Sequence, residues 1–493
     1  MMKRVASGVV PVITLDRKAP TALHRQIYDA LRLAITEGRL RPGQQVPSTR
    51  LLAKELGVSR LPVLDGYSQL LAEGYLEAKV GSGTVVSTLL PDRFTSVLPT
   101  VKANRAVGRK GSRKVALRTT ILPPYQSTPW TRAWGSFGVG QVAAESFPLA
   151  TWSNIAARRL KNISAQSFGY GDPMGSLTLR ESIATYLRTA RSVRCEADQI
   201  LIVSGSQQAL EISARVLVDP EDPVWIEEPG YRISRELFAL AGSRLIPVPV
   251  DDQGLDVNAG IRKCRNAKVA IVTPSHQFPL GVTMSAARRM QILQWAEENG
   301  SWIIEDDYDS EFRYESAPIS SLQGLDKNDR VIYIGTFSKV MYPSLRIGYL
   351  VVPRDLLVHF LAIRRATDLG PPSLSQGVLT DFINEGHFAR HIRRMRVLYK
   401  ERRTVLVDHL RRELGAGGEV IGAEAGMHLT LLLPNAGSDR EIALRAASQK
   451  LWLWPLSATY IGAAPLNGFI LGFGSTQAAD IPTSVRKLRR VLS

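Results

Sequence analysis

VIYIGTFSKVMYPSLRIGYLV, residues 331–351, opens with a β-branched and aromatic run of strand length that ends in Thr336 and Phe337. Ser338 and Lys339 follow at once, and Arg346 comes seven residues after the lysine. An amine set at the end of a buried strand is well placed to condense with an aldehyde, and the guanidinium beyond it offers a cation to an anionic group. Working outward, further buried-type strands read as QILIVSG (199–205), KVAIVTP (268–274) and SWIIEDD (301–307). They alternate with helical stretches such as SQQALEISARVLV (206–218) and SAARRMQILQWAEENG (285–300). Alternation of this kind predicts an α/β domain whose mostly parallel sheet is covered by helices on both faces. Its ligand belongs at the carboxyl ends of the strands.

Two of those strand ends carry the remaining chemistry. IIEDDYDSEFRY (303–314) delivers Asp306 and Asp307 with Tyr308 beside them, so one carboxylate can hold a ring-nitrogen proton and the hydroxyl can reach a ring oxygen. ILIVSGSQQALEISARVL (200–217) passes from strand to helix through Ser204, Gly205, Ser206 and Gln207, where backbone N–H groups can cradle a phosphate. Amine, acid and phosphate cradle together are what pyridoxal 5′-phosphate (PLP) requires. On its own, Lys339 would read as a solvated strand end; its company in this order changes that reading.

The first 88 residues read differently. TALHRQIYDALRLAITEG (21–38) places Leu23, Ile27, Ala30, Leu31, Ala34 and Ile35 on one helical stripe ended by glycine. Ser48 caps a second helix, STRLLAKELGV, and Ser59 starts a third, SRLPVLDGYSQLLAEG, with Pro62 early enough to be tolerated. A hairpin, YLEAKVGSGTVVS, follows around Gly81, Ser82 and Gly83. Three helices and a hairpin make a winged helix-turn-helix. Residues 89–129 read as a basic tether, because no acidic residue occurs between Asp92 and Glu145 while Arg93, Lys102, Arg105, Arg109, Lys110, Arg113, Lys114, Arg118 and Arg132 do. The expected organisation is therefore multidomain: a DNA-binding domain over 1–88, the tether over 89–129, and a PLP-binding domain over 130–493.

A formal charge of +17 and a pI near 10.0 favour polyanionic partners. Two cysteines, Cys195 and Cys264, are too few for a disulfide framework or a zinc site, which points to a reducing cytosol and to no metal. No run is long enough to span a bilayer, and the N-terminal apolar stretch is broken by Pro11, Thr14 and Asp16, unlike a signal peptide. Trp295, Trp302, Trp452 and Trp454 are read as core.

These residues resemble the fold-type I PLP enzymes, the aspartate aminotransferase superfamily. By that resemblance Lys339 is the lysine that binds the cofactor covalently, Asp306 the acid on the pyridine nitrogen and Tyr308 the donor to the ring oxygen. Ser338, Arg346, Ser206 and Gln207 are implied phosphate ligands, and Tyr231 of EEPGYR lies over the ring. Tyr170 of FGYGDPMGSLTLR is implied to reach the phosphate of a neighbouring subunit, hence a homodimer, domain-swapped by family pattern. Where many aminotransferases carry Asn-Pro-x-Gly this chain has TPSHQFPLG, with Phe278 for the Asn and His276 or Gln277 as polar substitutes. The front of the chain resembles the GntR-type winged helix through VPSTRLLAKELGVSR (46–60) and GYLEAKVGSGTVV (74–86). Both likenesses in one chain mark the MocR subfamily. That pattern implies operator contacts by Ser48, Arg50, Ser59 and Arg60 at the major groove and by Gly83 and Thr84 near the minor groove. Pro62 departs from the usual Thr or Asn, removing a phosphate donor.

Two functions follow from the resemblance: a cytoplasmic regulator that responds to PLP, alone or joined to an amine or amino acid, or an active aminotransferase that carries a DNA-binding domain. Aminotransferases clamp the substrate α-carboxylate with an Arg near the C-terminus. LNGFILGFGS (466–475) has no Arg and shows Ile470 in its place, leaving Arg232 and Arg235 as alternatives. The expectation is a sensor with at most partial transamination. Its target genes would serve vitamin B6 or amine and amino-acid metabolism, with PLP as effector and γ-aminobutyrate or taurine as the alternatives.

Overall fold

The computed structural model describes residues 13–79, 83–88, 115–122, 135–163, 169–314, 319–462 and 464–492. The chain divides into two units, Met1–Arg113 and Lys114–Ser493. That division falls within the basic segment 89–129. Of the basic residues named for it, only Arg118 is described, in a short 3-10 helix, Leu117–Thr120, rather than in irregular chain. The turn is closed by the hydroxyls of Thr119 and Thr120, which donate to the carbonyls of Ala116 and Leu117. Arg93, Lys102, Arg105, Arg109, Lys110, Arg113, Lys114 and Arg132 lie outside the described residues.

In the first unit, α1 (Leu23–Thr36), α2 (Thr49–Glu55) and α3 (Arg60–Ala72) precede an antiparallel hairpin of β1 (Leu76–Lys79) and β2 (Gly83–Val86). Ile27, Leu31, Ala34 and Ile35 of the α1 stripe are buried with Leu52 of α2 and Val63, Tyr67 and Leu70 of α3. Gly66 lets the two long helices approach, since a Cβ there would lie 3.3 Å from the His24 carbonyl oxygen. Pro62 stands in the first turn of α3, where no helical partner awaits its missing N–H. Gly81 and Ser82 of the hairpin turn lie outside the described residues.

The second unit is an α/β layer structure. Its strands are β3 (Ile200–Val203), β4 (Pro223–Glu228), β5 (Arg244–Asp251), β6 (Gly254–Leu255), β7 (Val269–Val272), β8 (Trp302–Asp307), β9 (Val331–Thr336) and β10 (Gly348–Val351). They form one eight-stranded sheet in the order β3-β10-β9-β8-β7-β4-β5-β6. The run β9-β8-β7-β4-β5 is parallel, whereas β10 is antiparallel to both neighbours and β6 to β5. A second, antiparallel sheet joins β11 (Glu419–Ile421), β12 (His428–Leu432), β13 (Trp454–Pro455) and β14 (Gly468–Gly472) in the order β11-β12-β14-β13. Burial on both faces explains the unbroken apolar strands: Leu201 and Val203 enter one core with Ile304 and Ile332, while Ile200 and Ile202 enter another with Tyr333 and Tyr349.

The same period of two sorts the acidic end of β8. Asp307 points to Arg191, at the end of the helix Leu177–Arg191, whose Nε lies 2.9 Å from the carboxylate. Arg191 also donates to Ser275 Oγ at 2.7 Å and to the Ile319 carbonyl at 3.0 Å, and the Tyr333 hydroxyl donates to the same Asp307 oxygen at 2.6 Å. Both charges are buried, so removing one leaves the other unpaired in the interior. Arg191→Ala is expected to destabilise the second unit by about 3–5 kcal/mol. Urea unfolding followed by intrinsic fluorescence checks this.

Candidate functional site

A cavity of about 300 Å³ opens at the carboxyl ends of β7, β8 and β9. It is walled by Thr273, Asp306, Tyr308, Asp309, Thr336, Ser338 and Lys339 from those strand ends. Ser206, Gln207 and Arg346 close one end, and Tyr231, Phe278, His428 and Trp454 are further lining residues.

Lys339 sits three residues past β9, held by a 3.3 Å contact from Nζ to the carbonyl of Gly140. A Cβ on Gly140 would come within 2.3 Å of that nitrogen, so only glycine allows the amine to stand there. Burial pushes the Lys339 amine below its ordinary range, while the charges of Asp309 and Asp306 work the other way. A larger share of free base follows, and that is the form that attacks a carbonyl.

Asp306 faces the cavity, and its Oδ1 is buried without a hydrogen-bond partner. Burial, then the charges of Asp307 and Glu227, raise its carboxyl to about 7, with Lys339 opposing. Tyr308 also lines the cavity, but its hydroxyl donates to the His276 carbonyl at 2.8 Å. His276 itself does not line it. The ring stands behind Tyr308 and Asp309, with Nδ1 at 3.2 Å from the Asp309 carboxylate. Asp309 also accepts from the Met427 backbone at 3.1 Å. His276, Asp309 and His428 hold ligand-type atoms within 4.8 Å of one another, yet these hydrogen bonds and the 3.2 Å contact of His428 Nε2 with the Pro279 carbonyl already engage them. The group acts as a brace for Asp309 and Tyr308.

At the other end, the helix Ser206–Leu217 starts directly after Gly205, whose φ of 112° is a glycine conformation. Gln208 secures the turn by accepting from the Ser204 N–H at 2.7 Å and from Arg364 at 2.6 Å. Arg346 has φ 53° after the turn Pro343–Leu345, and its guanidinium comes 3.5 Å from where a Gly205 Cβ would be. A left-handed arginine costs on the order of 1 kcal/mol, and here that strain aims a cation at a helix N-terminus. Backbone N–H groups, hydroxyls and a guanidinium converge as an anion cradle.

The residues read from the sequence for DNA lie on α2, α3 and the hairpin. Ser48 Oγ caps α2 by accepting from Leu51 N at 3.2 Å, and Arg60 Nε donates to Thr49 Oγ1 at 3.0 Å, tying the starts of α2 and α3. Ser48, Arg50, Ser59 and Arg60 are exposed, and neither helix has an acidic residue in its first turn. Gly83 is exposed at the start of β2, and Thr84 is half-buried, paired with Ala78.

Residues 23–86 match the family described as bacterial regulatory proteins, gntR family, and residues 136–461 match aminotransferase class I and II. The probable rhizopine catabolism regulatory protein MocR of Rhizobium meliloti is 39% identical over 97% of this chain and 95% of its own. The chain belongs to the MocR-type gntR regulators. The pyridoxine biosynthesis regulator PdxR of Corynebacterium glutamicum is 33% identical over 94% of each chain. Among solved structures, the α-aminoadipate aminotransferase LysN of Thermus thermophilus, complexed with N-(5′-phosphopyridoxyl)-L-leucine, aligns with a TM-score of 0.69 at 28% identity, over 74% of this chain and 95% of that one. This MocR-type protein is thus a DNA-binding transcriptional regulator with an aminotransferase fold. No helix among the described residues is long and apolar enough to cross a membrane.

Several readings of the MocR-type site change with the geometry. Gln277 does not reach the cavity in place of the missing Asn: it turns inward to Glu227, Pro229 and its own neighbour, and Phe278 takes the cavity wall. Arg235 cannot serve as a free carboxylate anchor, because it donates to the carbonyls of Ala458 and Thr459 at 3.0 Å, and Arg232 pairs with Glu236. Trp454, read as core, is half-buried at the cavity edge, because β13 carries it there. Tyr170 lies outside the cavity of its own chain and is 92% exposed. Gly140, Asp309, Met427 and His428 line the cavity unannounced; of these only Asp309, in the DDYD run, carried a local signal.

Asp306 supplies a pH test of the cofactor-free protein. Its carboxyl titrates near 7 when folded and near the ordinary aspartate value when unfolded, so the folded state holds more protons between these limits and its stability falls as pH rises through that window. Asp306→Asn should make the slope of unfolding free energy between pH 5 and 7 shallower by up to about 1.4 kcal/mol per pH unit. Denaturant titrations of both proteins across that range measure it.

Proposed function

We propose that this regulator holds PLP in the cavity through Lys339 and that occupancy, by PLP alone or with an amine, sets the operator affinity of the N-terminal unit. The observation that carries the reading is the unpartnered, buried Oδ1 of Asp306 sharing one cavity with a buried lysine and an anion cradle. A pyridinium nitrogen would give that oxygen the donor it lacks, and a phosphate would meet Ser206, Gln207, Ser338 and Arg346. When bound, PLP supplies an electrophilic carbon and an electron-withdrawing ring. Lys339 would anchor it covalently, Asp306 would hold the ring proton, Tyr231 and Tyr308 would stand beside it, and His276 positions Tyr308 from behind. Tyr170, directed to solvent, is available to a second subunit, which supports a homodimer completing the two sites.

At the front unit, Arg50, Ser59 and Arg60 would meet double-stranded operator DNA at the major groove beside Ser48, with Gly83 and Thr84 near the minor groove. The tether over 89–129 would join this domain to the PLP-binding one. Engagement of Arg235 and the burial of Ile470 support sensing over transamination, since neither leaves a guanidinium for an α-carboxylate. PdxR, by its name, serves pyridoxine biosynthesis, which supports PLP as effector and target genes in vitamin B6 or amine metabolism.

PLP added to the full chain should leave, after removal of free PLP, a protein-bound band shifted from that of the free aldehyde, and should change operator affinity in a gel-shift or anisotropy assay; Lys339→Ala should lose both. A band and a PLP response that survive in Lys339→Ala sink the assignment. Arg60→Ala should weaken operator binding by about 1–3 kcal/mol, the range of a base-edge contact, while the cofactor band remains.

A further inference from the structure

Once the inner cavity holds PLP, what remains is defined by its walls. Phe278, His428, Trp454 and Tyr231 form one aromatic side, with ring centroids 5.3 Å apart for Phe278 and His428, 5.8 Å for Phe278 and Trp454, and 5.7 Å for Tyr231 and Phe278. Met427 and Val139 extend it, and Ile470 is buried in the same apolar cluster as Phe278. His428 is neutral, because burial pushes its imidazole well below the ordinary range and His276 adds to the effect. Among the described residues lining the cavity the cations are Lys339 and Arg346, and Arg346 is committed to the anion cradle. Of the two acids on the wall, Asp306 is committed to the ring in the proposed reading, which leaves Asp309.

A carboxylate placed against this side would be desolvated among aromatic rings with no guanidinium and with Asp309 on the same wall. An ammonium meets the opposite situation: the Asp309 acid on the wall and aromatic faces around its substituent. We infer that the site accepts a primary amine with an uncharged aromatic or aliphatic body and rejects amines that bear a carboxylate. The inference rests on PLP occupying the inner cavity, and it sets aside γ-aminobutyrate as an effector.

Phenethylamine and L-phenylalanine differ by the α-carboxylate alone and make the test pair. Full-length protein is loaded with PLP, the loaded fraction is read from the absorbance band, and each ligand is titrated by calorimetry. Phenethylamine is expected to bind at least about tenfold tighter than L-phenylalanine, since an unpaired buried charge is worth more than the 1.4 kcal/mol of one decade. Trp454→Ala, with Phe278→Leu as a second variant, should weaken phenethylamine at equal PLP loading. Equal or tighter binding of L-phenylalanine overturns the inference, as does absence of phenethylamine binding to protein that shows the band. Absence of the band itself instead overturns the PLP reading, and this inference with it.

Discussion

Four carboxyl groups, Glu305, Asp306, Asp307 and Asp309, are buried within five residues of chain, and the large unit depends on how each is compensated. Desolvating a carboxylate is costly unless hydrogen bonds or a counter-charge replace the lost water. Glu305 receives the backbone N–H groups of Leu322 and Gln323, each at 2.9 Å. Asp307 receives Arg191 and Tyr333 at its Oδ2, and that ion pair offsets the charge although Oδ1 has no donor of its own. Asp309 receives His276 and Met427. Asp306 alone of the four keeps a buried oxygen on the cavity wall without a protein donor. Three of the four are compensated within the fold, and the fourth is the one that the proposed cofactor would meet.

Much of this was legible because strands impose a period of two. The apolar runs at 200–203, 269–272, 302–307 and 331–336 form the strands that their composition suggests, and the helix at 206–217 starts at the glycine turn. Lys339, Asp306 and Ser206 stand at or just past strand carboxyl ends that reach one edge, and antiparallel β10 starts at that edge with Arg346 just before it. Composition could not choose between Asp306 and Asp307; register does, since Asp307 shares the face of Arg191.

What stayed hidden came from distant chain. Gly140 precedes Lys339 by 199 residues, and Met427, His428 and Trp454 belong to short strands, or to their edges, in the second sheet. Nothing local distinguishes a cavity-edge tryptophan on a two-residue strand from one in the core. Arg235 looked available because its acceptors are main-chain carbonyls more than 220 residues away, which leave no trace in sequence. At the front unit the opposite holds: capping, stripe and turn are all local, and the winged helix was readable nearly whole.

The contact between Lys339 and the Gly140 carbonyl has a mechanical side. A nitrogen that took on a new covalent partner would no longer meet that acceptor in the same geometry. The Gly140 carbonyl would then need another donor or stay unpaired beside the cavity.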